Sequence, residues 1–235
     1  MRDRLTVIVP ARAGSRGLPG KNWLDWGGKS LVQHTIETAL ACPYVKQVGL
    51  SSDDPRAPET AFSLGVDFIP RSEAAASDSA TANDVVREVM SIWPPAQESG
   101  AIFLYLQPTS PLRNAEDITK AFESMVDADA DACVSVSASP VCGYKILGVN
   151  EETGTLSPLF GNKFATGNRD ELPKTYVANG AIYLFTRAAF LAHGSIPISG
   201  AAPFVMRAED SVDIDSAEDF RKALNVRGMR DRNSH

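Results

Sequence analysis

Short apolar runs alternate along this chain with longer segments in which apolar residues recur every three or four positions. The first kind predicts strands at 5–9, 45–50, 66–69, 101–106, 132–138 and 181–185, with shorter ones at 205–206 and 211–214. The second kind predicts helices. One opens at a Ser30/Gln33 capping box and turns Val32, Ile36, Ala39 and Leu40 to one side. A short one closes at Gly65, and another carries Val85, Val86, Val89, Met90 and Trp93. Asn114 with Asp117 caps a helix containing Ile118, Phe122 and Met125, and Ser216 with Asp219 caps the last. Strand and helix in regular alternation predict an α/β fold, a mostly parallel sheet with helices on both faces. The unbroken apolar run 101–106 suits a strand buried on both faces.

Residues 140–175 interrupt this rhythm with scattered Gly, Asn, Pro and Thr, and are expected to form an insertion, either a hairpin arm or a loop over the site. The expected organisation is therefore a single domain over 1–226 carrying this insertion, then a frayed polar tail at 227–235. A net charge of −6 argues against a general nucleic-acid or membrane-surface binder. Three cysteines, Cys42, Cys133 and Cys142, have no metal-like spacing and fit small buried residues in a reducing cytoplasm. No signal peptide or membrane-length apolar run is seen, so secretion and membrane spanning are not expected.

The chemistry concentrates where strands end. The first predicted strand runs into Ala11, Arg12 and a loop holding Gly14, Gly17, Gly20 and Lys21. Glycines let backbone N–H groups approach an anion, and the cations add charge, so a polyphosphate suits the loop. It is not a P-loop: Ser15 stands at that motif's first glycine and Asn22 follows the lysine in place of Ser or Thr. No G-x-G-x-x-G is present either. Arg71 and the segment from Gln107 to Arg113 also fall at strand ends, where open α/β sheets gather ligands. Val212-Asp213-Ile214-Asp215, read as a strand, turns both carboxylates one way. Paired carboxylates repel unless a cation joins them, and Mg²⁺ held with substrate phosphates would serve; the competing reading is a plain polar strand end. His34, His193 and His235 form no catalytic constellation.

These motifs together resemble the acylneuraminate cytidylyltransferase family, which activates nine-carbon 2-keto sugar acids with CTP. The opening loop follows that family's I-P-A-R-x-x-S-K/R-G-I/L-P-x-K-N, and Asn22 separates it from the R-L-P-G-K-P of the CMP-Kdo synthetases. Val212 to Phe220 reads V-D-I-D-S-A-E-D-F, Gln107 to Arg113 falls in L-Q-P-T-S-P-L-R, and Tyr176 to Tyr183 reads Y-x-x-N-G-A-I-Y, where Asn179-Gly180 read alone also suits a tight turn. The resemblance implies a three-layer α/β/α nucleotide-diphospho-sugar transferase-like fold, Mg²⁺ at Asp213 and Asp215, and a homodimer joined by the 140–175 arm. It implies catalytic roles for Arg12, Lys21 and Asp215, and nucleotide contacts from Ala11, Arg12, Gly14, Lys21, Asn22, Arg71 and Thr81. Gln107, Lys145, Arg169, Asn179 and Tyr183 would hold the sugar acid, Lys145 and Arg169 reaching the partner's site. A cytoplasmic enzyme of cell-surface polysaccharide biosynthesis is the corresponding role.

Two departures stand out. Ala82 occupies a place where relatives often carry a serine near the ribose; either Asn83 or Thr81 substitutes for it, or the helix is simply capped here. The Arg-rich segment before L-P-x-x-Y shrinks to Asn168-Arg169-Asp170-Glu171. A Kdo-type or amino-sugar-acid cytidylyltransferase, and a relative that binds without catalysing, are the competing readings.

Overall fold

The computed structural model describes residues 4–14 and 17–233. Its core is a seven-stranded sheet built from β1 (Leu5–Pro10), β2 (Val45–Ser52), β3 (Asp67–Pro70), β4 (Ile102–Tyr105), β5 (Ala132–Ala138), β8 (Tyr176–Thr186) and β9 (Ala202–Val205). The strand order is β3-β2-β1-β4-β8-β5-β9. All neighbours run parallel except β8, which lies antiparallel to both β4 and β5. The expected α/β architecture is therefore present.

Alternation along the strands makes the two helical layers. Leu5, Val7 and Val9 of β1, with Leu104 of β4, face one apolar layer formed by α1 (Leu31–Leu40), α2 (Ala57–Ser63) and α6 (Ala115–Asp127). Ile8 and Phe103 face the other, formed by α4 (Ala82–Ile92), α5 (Pro94–Gln97) and α8 (Arg187–His193). The capping boxes expected at Ser30/Gln33 and Asn114/Asp117 are made on both sides, and the Ser216/Asp219 pair caps α9 (Ala217–Asn233). Leu40 is a correction: it is exposed rather than on the buried face of α1.

Three other expectations change. Residues 211–214 have no regular secondary structure and join no strand ladder. The expected polar tail is helical as far as Asn233, because Arg227 stacks on Trp26 and Arg230 bonds the Leu112 carbonyl and Asp210. His235 lies outside the described residues. Asn179 and Gly180 do not make a turn but sit inside β8, at an irregularity in its pairing with β5 where Gly180 has φ +76°. The 140–175 segment folds as a separate hairpin of β6 (Leu147–Asn150) and β7 (Thr155–Pro158), followed by α7 (Asn162–Thr166). Tyr144, Phe160 and Phe164 stack at its base.

One buried cation ties the parts together. Arg113, 2% exposed, donates from Nη1 to the carbonyls of Ala181 (2.7 Å) and Gln107 (3.2 Å), and from Nη2 to the Thr35 hydroxyl (3.3 Å). It thereby joins the post-β4 loop to β8 and α1. Burial lowers its pKa to about 10, still charged at neutral pH. Arg113→Met keeps the volume but strands these acceptors. It is expected to cost about 3 kcal/mol in urea unfolding.

Candidate functional site

The loops after β1, β3 and β4 meet residues 212–215 around one cleft at the carboxyl ends of the strands. Arg12, Lys21, Asn22, Arg71, Thr81, Gln107, Asp213 and Asp215 all line it. Its wall toward α4 is apolar and small, with Ala75, Ala82 and Val85. An adjoining recess is lined by Gln107, Asn179, Gly180, Tyr183 and Asp213.

Asp213 and Asp215 reach the cleft without belonging to a strand. The Ile214 amide donates to the Thr109 carbonyl (2.8 Å), and the Ile214 side chain is buried beside Trp26, Leu31 and Leu112. With Ile214 turned inward, its two neighbours are presented to the cleft, so the two-residue spacing carries the consequence expected of a strand. Asp213 Oδ1 is buried with no hydrogen-bond partner among the described residues. Burial raises the Asp213 pKa, the Thr109 side chain opposes this through the carboxylate, and the Asp215 charge adds to the rise. Asp215 is largely exposed, and Lys21 Nζ donates to its Oδ1 (2.8 Å) and to the Ile214 carbonyl (3.2 Å). A buried unsatisfied carboxylate oxygen beside a second carboxylate is a fit for a hard divalent cation. No group of three or more potential metal ligands occurs among the described residues, so a cation here would need further oxygens from its ligand.

The glycine-rich loop packs closely against this pair. A Cβ at Gly17 would collide with the Asp215 carbonyl, which explains a glycine there. Arg12 Nη1 donates to Asp78 Oδ1 (2.9 Å) and to the Ser77 carbonyl (3.2 Å). Asn22 Nδ2 donates to the Arg12 carbonyl (3.2 Å), fixing the loop. Ala11 is buried behind the cleft: its amide donates to the Ser51 carbonyl and its carbonyl accepts from Ser52 Oγ. Gly14 has open space around its Cα and is outside the cleft lining. Arg71 is braced by Ser51, through Nε to Oγ (3.3 Å) and Nη2 to the carbonyl (3.0 Å).

Both residues suggested in place of the ribose serine are engaged with the scaffold. The Thr81 hydroxyl caps α4 through Asp84, and Asn83 Oδ1 accepts from the Ile196 amide. Asn179 is equally committed. Its Oδ1 accepts from Ser135 Oγ and the Ala181 amide, and its Nδ2 donates to Ser211 Oγ (2.9 Å) and Met206 S. Asn179 therefore braces the segment leading to Asp213. Gly180 is required beside it by its φ of +76°, and a Cβ there would also meet Gln107 Oε1 at 2.8 Å. Lys145 and Arg169 lie in the arm, outside the cleft and the recess. Sequence reasoning missed Asp78 as the Arg12 partner, and Tyr105, the polar residue in an otherwise apolar run just before Gln107.

The fold is an α/β sheet with a charged cleft at the carboxyl ends of its strands, and similarity to known proteins narrows what it belongs to. The sequence matches the cytidylyltransferase family over residues 6–224, and the chain belongs to that family. It is 30% identical over 232 residues to the N-acylneuraminate cytidylyltransferase of Escherichia coli O18:K1:H7, covering 99% of this chain and 54% of that relative. This chain thus spans about half the length of several of its relatives. Over 224 residues it is 30% identical to the CMP-N,N'-diacetyllegionaminic acid synthase of Legionella pneumophila, covering 92% of this chain and 93% of that one. In structure it resembles a CMP:2-keto-3-deoxy-manno-octonic acid synthetase, with TM-score 0.68 at 20% identity, covering 97% of this chain and all of the other. No helix among the described residues is long and apolar enough to cross a membrane.

Cys42, Cys133 and His34 belong to the scaffold rather than the cleft. Cys42 and Cys133 are buried, burial pushing the Cys133 thiol up to about 12, whereas Cys142 is only half-buried and departs from the expectation. His193 ends α8, and neither it nor His34 lines the cleft. His34 buttresses the post-β4 loop, its Nε2 donating to the Pro111 carbonyl (2.8 Å). Burial holds its pKa below the usual 6.5, and Arg113, Lys29 and Arg227 reinforce this. The unfolded chain thus binds this proton first, and stability falls as pH drops through 6.5. In thermal melts between pH 8 and 5, the wild type is expected to lose Tm below pH 6.5 more steeply than His34→Gln.

Proposed function

We propose that the chain is an Mg²⁺-dependent cytidylyltransferase that joins CMP from CTP to a sialic-acid-like nine-carbon 2-keto sugar acid. The observation that carries this is the unsatisfied Asp213 oxygen beside Asp215, in a cleft that also presents Lys21, Arg12 and Arg71. The names of the relatives support the substrate class. The anomeric hydroxyl attacks the α-phosphorus, and the bond to the β-phosphate oxygen breaks to release pyrophosphate. Such a displacement asks for positioning and charge neutralisation rather than a covalent intermediate. Arg12 and Lys21 bind the triphosphate and offset its developing charge. Arg71 and the small apolar wall hold the nucleoside, and Gln107 and Tyr183 face the sugar acid. Asp213 and Asp215 would hold Mg²⁺, which when bound would neutralise phosphate charge and acidify the attacking hydroxyl. That function removes the need for a histidine base.

The recess beside Tyr183 has no cation in its lining, yet the acceptor is a carboxylate. A homodimer answers this, the partner's arm bringing Lys145 and Arg169 to it. The arm's exposed apolar side chains, among them Val149, Leu156, Leu159 and Phe160, support its burial against a second copy. Three free cysteines are in keeping with a cytoplasmic location, and the activated sugar would feed cell-surface polysaccharide synthesis.

Two tests follow from this reading. Asp213→Asn should lower Mg²⁺-dependent pyrophosphate release from CTP and a sugar-acid panel by roughly 100-fold or more. Its Tm should be unchanged or higher, because the substitution removes a desolvated charge; turnover like the wild type would sink the assignment. Leu156→Asp with Phe160→Asp should yield monomers in light scattering and raise the sugar-acid KM roughly tenfold. An unchanged dimer would refute the role of the arm.

A further inference from the structure

Tyr105 closes β4 directly opposite Tyr183 of β8, and the two rings meet edge-on with centroids 6.5 Å apart. Its ring packs with Ile8, Ile69 and Val85, and the residue is only 3% exposed, yet it lines the cleft. Its hydroxyl makes no hydrogen bond among the described residues. The ring is held by the core while the residue opens onto the cleft, so a bound ligand can supply the partner that the hydroxyl lacks in the scaffold. Burial also keeps it protonated, well above the ordinary tyrosine range, so it offers both a donor and an acceptor. The charge that acts on it most strongly is Arg71, whose Nε and Nη2 are spent on Ser51. The nearby wall of Ala75, Ala82 and Val85 is apolar and leaves room for a flat ring. Lys21, Asp213 and Asp215 form the charged part of the same cleft.

We propose that Tyr105 is a nucleoside-contacting residue whose hydroxyl hydrogen-bonds the base edge or a ribose hydroxyl of CTP beside Arg71. This rests on the cytidylyltransferase reading and adds to it a residue that no motif marks. Arg71 only donates, so it meets acceptor atoms; the phenol supplies the acceptor that a nucleoside's amino or hydroxyl hydrogens require.

The test is calorimetric titration of wild type and Tyr105→Phe with CTP and dCTP in the absence of sugar acid. The CTP Kd of the variant should rise about fivefold, while its Tm stays equal or increases and the sugar-acid KM stays within about twofold. A penalty that persists with dCTP places the partner on the base or the 3′-hydroxyl; one that disappears places it on the ribose 2′-hydroxyl. Either supports the assignment. Unchanged CTP affinity overturns it, and so does a raised sugar-acid KM at unchanged CTP affinity, which would put the hydroxyl on the acceptor. Wild-type protein that binds no CTP would overturn the functional reading and this assignment with it. Wild-type binding with an indifferent Phe variant overturns this assignment alone.

Discussion

The main-chain hydrogen bond from the Ile214 amide to the Thr109 carbonyl is the constraint on which the cleft depends. It stitches the segment entering the last helix to the loop after β4, two parts separated by the whole arm and three strands of sheet. Burial of Ile214 with Trp26, Leu31 and Leu112 holds the stitch in place. Once that side chain is inside, Asp213 and Asp215 have only the cleft to face. Burial of the Asp213 oxygen without a partner follows from the same packing rather than from any local preference. Arg113 acts from beneath, fastening the same loop to β8 through Ala181 and to α1 through Thr35. The charged part of the cleft is therefore built on a few bonds among loops, with the parallel strands as foundation.

Most of the fold was legible because its signals are local. Ser30/Gln33 and Asn114/Asp117 announce helices through side chains three residues apart, and the apolar run before Gln107 announces a strand covered on both faces. The failures have physical reasons. Residues 211–214 carry a strand pattern, but their inward residue is buried by a loop and helices instead of a neighbouring strand, so no ladder forms. The basic end of α9 reads as a frayed tail until Trp26 supplies a ring for Arg227 and Leu112 a carbonyl for Arg230. Nothing within the tail itself encodes those partners. Asn179-Gly180 reads as a turn because Gly tolerates positive φ, yet here that φ permits β8 to pass close to Gln107.

The candidate site divides along the same line. Arg12, Lys21, Arg71, Gln107, Asp213 and Asp215 were identifiable by residue type and motif, and the fold brings them to one cleft. Asn179 was identifiable as important but not in its role, since only the structure shows all its hydrogen-bonding capacity turned inward toward Ser135, Ser211 and Met206. Thr81 likewise names a position in the cleft, while its hydroxyl is spent on capping α4. A motif records which residue is needed at a place; whether its polar atoms face a ligand or the scaffold depends on neighbours far away in sequence.

Electrostatics of the cleft account for how an acidic chain could accept a polyanion. Lys21 is paired with Asp215 and Arg12 with Asp78, so these cations do not stand as a bare positive patch. On the function proposed above, binding would be an exchange of pairs: triphosphate oxygens would take over Arg12 and Lys21, and Asp213 and Asp215 would turn to a cation. Exchange keeps each charge compensated before and after, which matters because an uncompensated charge in a partly buried site is strongly unfavourable. It also makes triphosphate and metal depend on each other. Phosphate that captured Lys21 without a cation would leave Asp215 facing Asp213 unscreened, and a cation without phosphate would lack the oxygens that two carboxylates cannot supply. Specificity for the nucleoside cannot come from this exchange, since every nucleoside triphosphate would take part in it equally. On that reading it has to come from the part of the cleft away from the paired charges, where Arg71 is braced by Ser51 and Tyr105 holds an unused hydroxyl beside small apolar side chains.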